Sequence, residues 1–127
     1  MKWTVMAAVI CIASSASAFG AELYCEVTKK LSQDYTYEAA HIEKHKPSVF
    51  IRDAGTTVLL SRCSVEISSG DYTCDHYEAD FVEHDNRANI TKYYYLRGQF
   101  DVQVFADNSF VENNGRGTIA FGRCVER

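Results

Sequence analysis

Apolar and polar residues alternate along most of this chain with a period of two. In Glu22 to Lys29 (ELYCEVTK), Leu23, Cys25 and Val27 fall on one face. A period of two is that of a β-strand with one buried side. Extended runs of the same kind follow at Ser48 to Arg52, Thr56 to Ile67, Tyr72 to Glu83 and Ile90 to Arg97, then at Gln99 to Phe105, Phe110 to Glu112 and Thr118 to Val125. Turn-forming residues separate them: Asp53-Ala54-Gly55, Ser68 to Asp71, His84 to Arg87, Gly98 and Ala106 to Ser109. Asn113 to Gly117 is the clearest hairpin turn, because Asn-Gly accepts positive φ at little cost. About eight strands joined by short turns predict an all-β domain, an antiparallel meander closed as a small barrel or sandwich. Tyr35 to Lys46 breaks the pattern. It fits either a strand, with Tyr35, Tyr37 and Ala39 on one face, or a short helix ending before Pro47, the single proline.

The first eighteen residues read differently. Lys2 precedes an apolar run, Trp3 to Ala13, of about a dozen residues, too short to span a bilayer. Ala16-Ser17-Ala18 then presents small residues where a signal peptidase cuts. Residues 1–18 are expected to be a secretory signal peptide and 19–127 one β domain. No membrane insertion is expected after cleavage, and the mature chain belongs in the periplasm or outside the cell.

Export changes the reading of the cysteines. Cys11 leaves with the leader, and Cys25, Cys63, Cys74 and Cys124 remain. An even number in an exported chain reads as two disulfides. Cys25 and Cys124 sit in the first and last expected strands, and Cys63 and Cys74 flank the turn Ser68 to Asp71, so Cys25–Cys124 and Cys63–Cys74 are the favoured pairs. If Ile67 faced Tyr72 across a tight turn, Cys63 would sit diagonal to Cys74. That bridge therefore requires a bulge or a longer loop.

Charge narrows the partners. Loss of Lys2 takes the thirteen basic residues to twelve against seventeen acidic, a net charge of −5. Such a surface disfavours nucleic acid and anionic membranes and suits a basic protein.

The chemistry-bearing residues cluster in Cys74 to Asn86, CDHYEADFVEHDN. As one unbroken strand it places His76, Glu78, Asp80, Val82 and His84 on one face and Tyr77, Ala79 and Phe81 on the other. His76, Glu78 and His84 are candidate ligands for zinc or copper. His41 and His45, four apart, add two more if their segment is helical. A solvated outer strand face has the same composition. No GxSxG elbow, P-loop or GxGxxG is present, and oxidised cysteines supply no thiolate, so no enzyme is expected. Apart from such a metal ion no cofactor is expected. Tyr93 and Tyr95 alternate onto one face of an aromatic strand, and Arg116 tips the Asn-Gly hairpin. These three are the candidate binding residues.

Several short motifs recur in a known group. Tyr24 beside Cys25, Arg62-Cys63, Cys74-Asp75-His76-Tyr77, Phe110-Val111-Glu112, Gly117-Thr118 and Phe121-Gly122-Arg123-Cys124 resemble small exported proteins of alphaproteobacteria that share a CDxY…FVE…GT…FGxC pattern. The resemblance covers roughly the C-terminal two-thirds and implies a bacterial envelope. A looser similarity is to periplasmic inhibitors of C-type lysozyme, small disulfide-bonded barrels that begin near a Tyr-x-Cys. Their Ser-Gly-Ala-Arg-Tyr-like loop has only Asn114-Gly115-Arg116-Gly117 as its counterpart here. The resulting expectation is a non-enzymatic periplasmic or secreted binding or inhibitor module. Its partner would be a protein, such as a lysozyme-type basic protein, or a small ligand. The second expectation is a periplasmic transition-metal-binding protein.

Overall fold

The computed structural model describes residues 21–127, so the expected signal peptide lies outside the described residues. Alternating sequence becomes nine strands: β1 (Ala21–Ser32), β2 (Ser48–Asp53), β3 (Val58–Val65), β4 (Tyr72–Glu78), β5 (Phe81–Asp85), β6 (Ile90–Tyr95), β7 (Phe100–Val104), β8 (Ser109–Asn113) and β9 (Thr118–Glu126). They form one antiparallel sheet in the order β4-β3-β2-β1-β9-β8-β7-β6-β5, curled into a half-barrel. The first and last strands thus sit at the centre of the sheet, and two mid-chain strands sit at its edges.

The ambiguous segment divides. Thr36 makes an isolated bridge to Leu31, and helix α1 (Ala39–His45) follows. Ala, Glu and Lys favour the helix locally. Pro47 stops it, because the residue before a proline is driven out of the right-handed helical region. Lys46 leaves the helix in the left-handed conformation of a C-cap (φ 47°, ψ 50°), and its N–H bonds the Ile42 carbonyl at 2.8 Å. Ile42 is the buried residue of α1 and joins the core.

Strand register decides which residues face inward, since cross-strand partners share a face. One inward row runs Lys30, Ala120, Glu112, Val102, Tyr93, Val82; another runs Val27, Gly122, Phe110, Val104, Thr91, His84. Cys25, Val49, Arg62 and Asp75 form a third. Phe110, Ile51, Leu60, Val49, Val102 and Cys25 are the most deeply buried members of this concave core. The convex face carries the row Tyr24, Phe50, Ser61, His76. Gly122 lies beside the bulge between Val27 and Lys29. A Cβ there would strike the Glu26 carbonyl and the Phe110 ring, so only glycine lets β1 and β9 approach this closely.

Both expected disulfides are present. Cys25 and Cys124 lie directly opposite each other with Cα atoms 3.9 Å apart, and so do Cys63 and Cys74 at 4.0 Å. The second pair needs the longer loop. Val65, not Ile67, faces Tyr72, so Glu66 to Asp71 form the turn. It is closed by Glu66 N–H to the Asp71 carbonyl (2.8 Å) and Gly70 N–H to the Glu66 carbonyl (2.7 Å).

The count of nine departs from the expected eight at one place. Tyr72 to Glu83 is not one strand. It bends at Ala79 and Asp80, where it changes partner: Ala79 N–H bonds the Val58 carbonyl of β3 and Asp80 N–H bonds the Tyr94 carbonyl of β6, each at 2.8 Å. The extra residue inverts the facing, as a bulge does. Tyr77 points into the concave side before the bend, whereas Phe81 is convex and Val82 concave after it.

Candidate functional site

The bend makes a seam. β4 pairs with β3 alone and β5 with β6 alone, so each keeps one free edge, and the two meet at Ala79-Asp80. A groove lies on either side. One, of about 420 Å³, is lined by His76, Tyr77, Glu78, Ala79, Asp80, Tyr95 and Arg97. The other, of about 390 Å³, runs between the β2–β3 turn and β5, lined by Asp53, Gly55 to Val58, Glu78 to Asp80, Phe81 and Val82.

Charge and apolar surface coincide along this seam. From Glu78 to Asp85, four of eight residues are acidic and none is Lys or Arg. Asp80 is held by the Leu96 N–H at 2.5 Å, and Asp85 accepts from the N–H groups of Arg87 (2.9 Å) and Ala88 (3.2 Å). Every residue of β5 is exposed, including Phe81 at 47% and Val82 at 42%. The Phe81 ring stacks on Tyr94 with centroids 4.4 Å apart, which fixes it in place on the surface.

The sequence candidates scatter around this feature. His76, Glu78 and Tyr95 come together in the first groove. His84 does not join them: the inversion at the bend puts it on the concave side, bonded to Thr91 Oγ1 at 2.8 Å. His76 is convex and bonds Ser61 Oγ at 2.7 Å. The shared face of His76, Glu78 and His84 is therefore corrected. Among the described residues no three His, Cys, Asp or Glu side chains gather as a metal-binding group. His41 and His45 lie apart on α1, their ring centroids 4.1 Å from each other.

Tyr93 and Tyr95 do share a face, and it is the inner one. Tyr93 is only 8% exposed. Burial, with the Asp53 charge beside it, raises its phenol above the ordinary tyrosine range and keeps the hydroxyl protonated. Tyr95 packs against Tyr77 (4.9 Å) and Phe100 (5.8 Å). The two candidate binding tyrosines thus face the interior, because β6 offers its Tyr93, Tyr95 side to the half-barrel. Arg116 is exposed at its hairpin tip, its N–H held by Asn114 Oδ1 at 2.7 Å.

One charged pair inside was not anticipated. Glu112 of β8 meets Arg62 of β3 at 2.6 Å across the concave space, and Glu112 is 6% exposed. The Arg62 guanidinium also lies over the Phe100 ring, 5.1 Å from its centroid. With Lys30 and Asp75 they line a cavity of about 240 Å³. The signal was present: Phe110-x-Glu112 and Leu60-x-Arg62 each place a charge in step with a core residue. These motifs, with the Cys63–Cys74 bridge and Gly122, form the frame of the half-barrel. No protein-family model, curated protein or solved structure matches this chain.

Proposed function

We propose that this chain is an exported, non-enzymatic binding module that takes a basic protein along its acidic seam. The observation that carries the reading is β5, a fully exposed edge strand with Phe81 and Val82 uncovered among Glu78, Asp80, Glu83 and Asp85. An unpaired edge offers backbone hydrogen bonds to an added strand, while uncovered apolar side chains supply affinity and surrounding acids supply steering. The disulfides support the exported part. The four described cysteines are bonded in pairs, and disulfides persist in oxidising compartments. Among the described residues no helix is long and apolar enough to cross a membrane. The resemblance to lysozyme inhibitors agrees with a basic partner, with the seam in place of their inhibitory loop.

A C-type lysozyme is the defined probe. Calorimetric titration should show binding that weakens at least ~10-fold on raising salt from about 0.05 to 0.3 M, and again at least ~10-fold in Phe81→Lys/Val82→Lys. Arg116→Ala should leave it unchanged. Tight binding indifferent to the seam substitutions would remove the reading, and so would the absence of binding to any basic protein of this kind.

A further inference from the structure

α1 has no explanation in the seam. It is seven residues long, its N-terminus has no side-chain cap, and its sequence is AAHIEKH. Its one buried side chain is Ile42, which leaves the histidines outside the core. His41 and His45 stand one turn apart, on the same side of the helix. Their rings lie 4.1 Å apart, tilted by 38°. Tyr37 also packs on His41, with centroids 5.1 Å apart, and its hydroxyl accepts from the Tyr35 hydroxyl at 2.9 Å. The imidazole pair is thus held in a short ladder of rings.

From this geometry we infer that His41 and His45 form a two-imidazole chelate for a divalent transition-metal ion, copper(II) before nickel(II) or zinc(II). One nitrogen from each ring would bind. With metal–nitrogen bonds of ~2.0–2.1 Å, two such donors on one ion stand roughly 3 Å apart, within reach of rings already this close. Imidazole donors suit these ions, and the order of affinity among them places copper(II) first. Two local conditions favour the ion. The rings already lie side by side. His45 lies in the last helical turn, where the backbone dipole favours positive charge. Lys30 and Lys44 lie close enough to repel a cation there, so the site is one of moderate affinity, with water in the remaining positions. The inference is independent of the seam.

A chelate across one turn also clips the helix, which is otherwise marginal at this length. Copper should therefore protect the α1 amides. The test is a copper(II) titration of the oxidised chain near neutral pH, followed by electron paramagnetic resonance and by hydrogen exchange of residues 39–46. The expected result is one ion with two nitrogen donors, and at least ~10-fold slower exchange in α1. Both His41→Ala and His45→Ala should weaken copper at least ~10-fold. Alanine is the strongest helix former, so α1 is retained in both variants. His76→Ala and His84→Ala should change nothing. Copper affinity untouched by the α1 substitutions, or lost in the His76 or His84 variant instead, would overturn the inference. So would a titration showing no copper bound.

Discussion

Arg62 and Glu112 show how one pair of residues can hold a curled sheet to its shape. They stand on strands separated by β2, β1 and β9 in the sheet, yet meet at 2.6 Å because the sheet wraps around them. The inner carboxylate is nearly covered and the guanidinium partly open, so the two substitutions are unequal. Arg62→Ala leaves a buried charge without its partner and should cost about 3 kcal/mol in urea denaturation. Arg62→Met/Glu112→Leu removes both charges and should recover most of that loss. If the double variant were as unstable as the single one, the pair would be contributing more than charge compensation. Gly122 is the other residue on which the shape turns. Gly122→Ala drives a methyl group into the Glu26 carbonyl and the Phe110 ring. It should destabilise by about 3 kcal/mol. A wild-type denaturation midpoint for this variant would mean that β1 and β9 separate more readily than their register implies.

Elements were legible where side chains alternate and opaque where the chain changes partner. β1, β2, β3 and β9 follow from apolar spacing alone, and the pairing of Cys25 with Cys124 follows from their places in the outermost runs. The split between β4 and β5 does not. Ala79 and Asp80 carry no glycine or proline to mark a bend, because the bend arises from a strand of fixed length having to bond β3 with one half and β6 with the other. That hidden inversion is also why the histidines were assigned one face and occupy two. For Tyr93 and Tyr95 the alternation was right, but both faces of β6 are aromatic, and composition did not say which one turns inward. The two disulfides differ in kind at this scale. Cys25–Cys124 spans 99 residues and Cys63–Cys74 spans 11. On the chain-entropy account, replacing the first pair with serine should cost about 4–5 kcal/mol and the second about 3 kcal/mol. Equal losses in denaturation would point to local strain or packing rather than loop length.

At the scale of the whole molecule, the sheet order has a consequence for chain connectivity. Read across the sheet, the strands run β5 to β9 and then β1 to β4. The two ends of the described residues are neighbours, since the Arg127 N–H bonds the Glu22 carbonyl at 2.9 Å. A circular permutant joining residue 127 to residue 21 by a short linker, and opened between Ala79 and Asp80, would therefore be a plain meander. Each strand in it would follow its spatial neighbour, with every pairing kept. It should fold to the same sheet with fewer long-range closures and so fold faster. In that chain Cys25 and Cys124 would enclose a loop of only about 15 residues, and their bridge should fall in value from about 4.7 to about 3 kcal/mol. Stopped-flow refolding and denaturation with and without reductant measure both effects. An unchanged refolding rate would mean that joining β4 to β5 across the seam is not the slow step. The seam is then the natural opening of a ribbon that the polypeptide happens to enter from its middle.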